Sequence, residues 1–304
     1  MRFINASILL SLAIALSACG SSSDENNNEA SDIASVEDIT PVQPDTSSAA
    51  DASSNPITVE GYYKNCPCEG GTSGYEHYSD SNELLAECLC GAYEGQDLPD
   101  LTGRWAHYMV QTNSIKMPIF GDISDTEVRS LLLFDIEQEG PKITMTVDTC
   151  SIEMVSEDAI VETIMPDVFV TSLDIAIRPG VLIPTEDGLT LHSAPFYELR
   201  GVQLENLEED PLPTEPDDPT VYDQDNDGFP GMTIRLKGAL SGDLYIVQRS
   251  WTQIQSATIN GDRITGHVIW GEEQVHLGST NEALRSIAVE SWVKEDPEAH
   301  TFEM

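Results

Sequence analysis

The chain has 304 residues, 53 acidic against 14 basic, with a formal charge of −39 and an isoelectric point near 4.1. So acidic a chain should repel nucleic acid and anionic membrane surfaces, which removes nucleic acid as an expected partner, and its crowded carboxylates suggest cations as companions. The apolar fraction of 40% is enough for a folded core in part of the chain.

Arg2 opens a short positive stretch, and Ile8 to Leu16 is apolar. That is the pattern of a secretory signal peptide, too short for a transmembrane helix. Leu16-Ser17-Ala18-Cys19, followed by Gly20, resembles the lipobox of bacterial lipoproteins. The resemblance implies a signal peptide over residues 1–18, diacylglycerol on the Cys19 thiol, and acylation (a palmitate-type chain) of the new amine. One acyl chain anchors marginally, whereas two or more anchor stably. Gly20 and Ser21 are not the aspartate tied to inner-membrane retention in that family. The resemblance therefore implies the outer membrane, with the body facing periplasm or cell surface.

Residues 19–56 follow as an acidic linker, with eight acidic and no basic side chains between Gly20 and Pro56. Scattered Ile and Val cannot build a core there, so the segment reads as a disordered tether, spanning roughly 35 Å on average.

Residues 57–100 carry two Cys-x-Cys pairs, Cys66/Cys68 and Cys88/Cys90. Asp80 to Leu89 reads as a short helix with Leu84, Leu85, Cys88 and Leu89 on its apolar side. Four thiolates with His77 as a spare ligand suit zinc, although structural zinc pairs are usually spaced by two to four residues. An exported chain permits disulfides instead. Bonds between the pairs avoid the strain of a bond within one pair. Which cysteine joins which is left open.

Residues 101–304 read as strand after strand. Val128 to Glu137 alternates apolar and polar residues, Gln138-Glu139-Gly140-Pro141 turns, and Ile143, Met145 and Val147 alternate again. Cys150, Ile152 and Met154 continue in shifted phase, which calls for a bulge or a new strand. Cys150 reads as a buried, inert thiol. Further strands are expected at 173–178, 189–192, 196–204, 232–240 and 244–254. Asn260-Gly261 is a strong hairpin signal, leading to strands at 263–270 and 274–277. Residues 283–293 suit helix or strand. Eight to ten antiparallel strands imply a β-barrel or a β-sandwich, so the fold class is mainly β.

Gly103-Arg104-Trp105 resembles the Gly-x-Trp that opens the first strand of lipocalin-like barrels. That resemblance implies a Trp closing one barrel end and a late Arg, here Arg285, packed on it. The wider series, with Pro166-Asp167-Val168-Phe169-Val170, Leu199-Arg200-Gly201-Val202, the aspartate loop and Tyr245 to Arg249, resembles a group of exported delta-proteobacterial lipoproteins. It implies a β-rich fold and no particular activity.

Asp223-x-Asp225-x-Asp227-Gly228 is the most specific chemical feature. Calcium takes many oxygen ligands at flexible distances, and carboxylates at alternate positions converge when a loop curls. The run resembles the first half of an EF-hand loop, with the Phe229 carbonyl at the next ligand position. It departs at the twelfth position, where Ile234 stands in place of the bidentate Glu. Glu215, Asp217 and Asp218 are the nearby candidates for missing ligands. The plain alternative is a solvated loop whose aspartates make turn hydrogen bonds.

No nucleophile elbow, His-Glu-x-x-His pair or phosphate loop is present, so no catalytic residue is assigned. The six histidines (His77, His107, His192, His267, His276, His300) are scattered singly. The expected function is a lipid-anchored envelope protein with a binding or structural domain that calcium stabilises. The alternatives are a lipocalin-like carrier of an apolar small molecule and a hydrolase with an unrecognised site.

Overall fold

The structure, a computed structural model, describes residues 61–116, 123–156, 160–186, 188–285 and 290–304. The expected signal peptide over residues 1–18, Cys19 and the expected tether lie outside the described residues, as does the side chain of Arg285. The described residues belong to one compact unit, Ala52–Met304.

The cysteine-rich segment forms a small sheet of β1 (Tyr62–Pro67), β2 (Ser73–Tyr78) and β3 (Leu84–Leu89) in that order, with antiparallel neighbours. Cys66 is bonded to Cys88, and Cys68 to Cys90. The register follows from topology. β1 and β3 are both antiparallel to β2 and so parallel to each other, which brings first to first and second to second. The helix expected at Asp80–Leu89 is a turn and a strand instead. Glu83 N–H donates to Ser79 Oγ, Asn82 N–H donates to Ser79 O, and Asn82 turns the chain at φ 61°. Two crosslinks two residues apart need the extended spacing of a strand. The leucines that mimic a helical stripe are left exposed, Leu85 at 57%.

This sheet lies on the larger one. Tyr63 meets the His192 ring edge-on at 5.0 Å, Tyr93 OH donates to Leu182 O, and Gln253 Nε2 donates to Gly61 O at 3.1 Å.

The larger sheet has 12 strands, more than the sequence suggests. β4 (Gly103–Lys116), β5 (Ile123–Glu139) and β6 (Lys142–Ser156) form a meander. β7 (Val161–Ile164) and helix α1 (Asp167–Thr171) precede β8 (Ala176–Thr185), β9 (Gly188–Ser193) and β10 (Phe196–Arg200). After the acidic segment come β11 (Met232–Gly238), β12 (Gly242–Asn260), β13 (Arg263–Ser279), helix α2 (Glu282–Arg285), β14 (Glu290–Val293) and β15 (Thr301–Glu303). Pairing runs β13-β15-β4-β5-β6-β8-β9-β12, and β12 pairs β13 again, so the sheet closes on itself as a barrel. Closure along this path leaves fewer free strand edges than a sandwich would have to protect. β10, β11 and β14 add to β12 and β4 as side branches, and β7 borders β11.

Both expected hairpins form. Glu139 pairs Lys142 around Gly140 (φ 62°) and Pro141, and Asn260 pairs Arg263 around Gly261 (φ 66°) and Asp262. The phase shift at Cys150 is a β-bulge, because Leu131 pairs Ser151 while Leu132 pairs Thr149. Cys150 itself corrects the reading of a buried free thiol. It is half-buried at the bulge. The strand expected at 173–178 starts later, at Ala176, and the two strands expected at 263–270 and 274–277 are one continuous β13. Residues 283–293 contain both the end of α2 and β14.

The main core fills the barrel end around Phe134, Ile143, Met145, Leu182, Leu191 and Ile264, none above 0% exposed. Trp105, near the start of β4, packs on it and donates its indole N–H to Leu101 O at 2.8 Å. Phe169 of α1 joins Met232, Ile234 and Ile246 in a second cluster, and Val202, Leu212, Val247 and Leu277 form a third beneath the acidic segment.

Candidate metal centre

The aspartate loop enters β11. Asp223 bridges to Gly231, and Gly231 N–H returns to Tyr222 O at 3.1 Å. Asn226 (φ 56°) and Gly228 (φ 90°) take left-handed backbone, so the chain curls as the spacing predicts. Gly231 is required for contact as well as conformation, since a Cβ there would lie 2.1 Å from Ile246 O.

One oxygen from each of Asp223, Asp225 and Asp227 lies within 4.8 Å of the others. Asp223 accepts from Asp227 N–H at 3.1 Å and Gly228 N–H at 2.9 Å. Asp227 accepts from Phe229 N–H at 2.9 Å and Thr233 Oγ1 at 2.5 Å. Asp225 Oδ2 accepts from Thr233 N–H at 2.9 Å. These are turn bonds, and they account for five of the six carboxylate oxygens. The sixth, Asp225 Oδ1, is buried without a hydrogen-bond partner in a residue only 2% exposed. Burial pushes the Asp225 carboxyl above the usual carboxylate range, with Asp227 and Asp223 adding to it and Thr233 N–H opposing it.

An oxygen with no donor, facing two more carboxylates, is a poor arrangement for the protein alone. It suits a hard cation, which wants several oxygens and tolerates uneven distances. The remaining sequence candidates do not join the triad. Asp218 accepts from Thr220 N–H at 2.9 Å and Thr220 Oγ1 at 2.6 Å, and those bonds lower its pKa. Glu215 and Asp217 are also outside the group. Phe229 stacks on Tyr245 at 4.3 Å, fixing the loop exit. Ile234, at the EF-hand's final ligand position, is 6% exposed in an apolar cluster. Its side chain belongs to packing.

Sequence reading missed the residue that seats the loop. Gln224 Oε1 accepts from Gly201 N–H at 2.7 Å, and its Nε2 donates to Ser172 O at 3.0 Å. It occupies an unspecified position of the motif, so the spacing carried no signal for it.

Among the described residues, one other group of metal-ligating type converges, Cys68, Cys88 and Cys90. Its sulfurs are spent on disulfides, which closes the zinc reading. The histidines serve the fold and do not gather into one site among the described residues. His77 stacks on Tyr63, and His276 bonds Gln274. His267 lies on the surface beside Glu298, and His300 Nδ1 accepts from Trp270 Nε1 at 3.0 Å. Burial lowers His192 to about 4.

Comparison with protein-family models, curated proteins and solved structures gave no match.

Proposed function

We propose that the chain is a lipid-anchored envelope protein whose barrel is held in shape by calcium at Asp223, Asp225 and Asp227, and that its role is binding or structural. The unpartnered, buried Asp225 Oδ1 beside two further carboxylates carries the metal reading. Asp223 and Asp227 are the other side-chain ligands, and the Phe229 carbonyl is the main-chain candidate. A cation there ties the loop to β11 through Thr233 and to Gly201 through Gln224. Outside the cytoplasm, millimolar calcium fills a site of about 10⁻⁴–10⁻³ M affinity. The anchor rests on Cys19 and the apolar segment before it.

An apolar cargo finds little room among the described residues, because the barrel end is packed with fully buried side chains. This favours a stabilised scaffold over a carrier of apolar molecules.

Thermal unfolding with calcium and with chelator tests the metal. Saturating calcium is expected to add about 1–3 kcal/mol, and an unchanged melting temperature would refute it. Cys19→Ala is expected to move the protein from the membrane fraction to the soluble one. Retention at the membrane would remove the anchor.

A further inference from the structure

The barrel wall is incomplete between β8 and β10. β8 pairs β6 from Ala176 to Val181, but pairs β9 only from Gly180 to Thr185. β10 pairs β12 from Phe196 to Arg200. Among the described residues, no strand pairs with the other edge of β8 from Ala176 to Pro179, or with that of β10. Side chains span this slit in place of backbone. Arg178 reaches Glu198 Oε1 at 3.3 Å and lies over the Phe196 ring at 5.0 Å. Arg200 takes the other oxygen of the same carboxylate at 3.5 Å.

Two guanidinium groups thus share one carboxylate, and both ion pairs are loose. The three side chains are 11%, 26% and 16% exposed for Arg178, Glu198 and Arg200, so solvent reaches the group. Behind it lies a polar floor. Arg200 donates to Gln248 Oε1 at 2.6 Å and Ser250 Oγ at 3.0 Å, and Arg178 donates to Thr252 Oγ1 at 3.3 Å. Gln248 and Asn113 donate to the two oxygens of Glu272 at 2.9 and 2.8 Å.

This network has hydrogen-bonding capacity left over. Arg178 Nε, Arg200 Nε and Asn113 Oδ1 are buried without partners, as are both ring nitrogens of His107, stacked between Phe134 and Phe302. His107 feels the Arg178 charge. Each unsatisfied buried group costs about 1–3 kcal/mol, so five of them in one barrel point to an interior built for additional polar contacts. Burial raises the pKa of Glu272, and Asn113, Arg200 and Gln248 oppose that shift.

We propose that the slit between β8 and β10 admits a small organic carboxylate, which takes Arg178 and Arg200 from Glu198. A carboxylate matches the planar fork of a guanidinium better than a halide or a neutral molecule does. Glu198 is the occupant of the empty site, an internal carboxylate that the ligand must displace. Phe196, stacked on Arg178, borders the entrance. The site is separate from the aspartate loop, and the proposal stands whether or not that loop holds calcium.

The test is calorimetric titration of the mature protein with lactate, succinate and phosphate, repeated on Glu198→Gln, Arg200→Gln and Asp225→Asn. Saturable binding of lactate or succinate is expected. Glu198→Gln, which removes the competing charge, is expected to tighten it by about tenfold. Arg200→Gln is expected to abolish it, and Asp225→Asn to leave it unchanged. If Arg200→Gln fails to fold, Glu198→Gln decides alone. Absence of carboxylate binding in both wild type and Glu198→Gln overturns the proposal. So does binding that Glu198→Gln leaves unchanged or weakens, or a preference for phosphate over both carboxylates.

Discussion

The aspartate loop and the barrel interior are both concentrations of buried or half-buried charge, built in opposite ways. The loop gathers three carboxylates within five residues, and the backbone beside them supplies most of their hydrogen bonds. Its charge has one sign, so it calls for a cation. The interior gathers Asn113, Arg178, Glu198, Arg200, Gln248 and Glu272 from β4, β8, β10, β12 and β13. Its charges are of both signs and largely answer one another. A local cluster is cheap to form and weak without an ion. An assembled cluster is set by the fold and resists change.

The largest expected effect of substitution falls in the interior. Arg178→Met leaves Glu198 with one loose partner and removes the bond to Thr252. Chemical denaturation should show a loss of about 3 kcal/mol, in the range for breaking one side of a buried pair. A loss under ~1 kcal/mol would make the interior network no more important than a surface pair.

Next comes His107→Phe. His107 is sandwiched between Phe134 at 4.4 Å and Phe302 at 4.9 Å with neither nitrogen bonded. An apolar ring in that place should stabilise by about 1–3 kcal/mol. Burial, with Arg178 assisting, holds the His107 pKa down at about 3. Below its unfolded value of about 6.5, the unfolded chain takes up a proton that the native state refuses. Stability is therefore complete above pH 6.5 and falls toward pH 3 by up to about 1.4 kcal/mol per pH unit from this group. His192, held at about 4 by burial and His77, acts in the same direction over a narrower window. The phenylalanine variant should lose the steeper part of that slope. An acid-unfolding curve identical to wild type would rule the assignment out.

A smaller effect is expected in the loop. Asp225→Asn keeps an acceptor for Thr233 N–H and removes a charge that burial disfavours. Without calcium it should gain about 1 kcal/mol, and with calcium it should show no further gain. A calcium response equal to wild type would place the ion elsewhere. Asp218→Asn, outside the triad, should change stability by less than ~0.5 kcal/mol and leave the calcium response intact. A lost response there would enlarge the ligand set.

The same contrast explains what could be read in advance. Alternation over Val128 to Glu137, the Gly140 and Gly261 turns and the curled aspartate loop all depend on neighbours a few residues apart, and each appears where expected. The apolar spacing of Leu84, Leu85 and Leu89 suggested a helix because that period ignores crosslinks. The bonds Cys66–Cys88 and Cys68–Cys90 fix that segment as a strand. Cys150 was placed correctly at a phase shift.

The sequence by itself determined the mainly β class, the hairpins, the disulfide-forming pairs and the aspartate cluster, because period, turn chemistry and spacing act locally. Tertiary structure alone decided that the strands close into a barrel and which cysteine meets which. It also decided that Asp225 is the buried aspartate, and that Arg178, Glu198 and Arg200 share one slit. Those outcomes depend on strand register across separations such as the 159 residues between Asn113 and Glu272, and nothing in a local window encodes them.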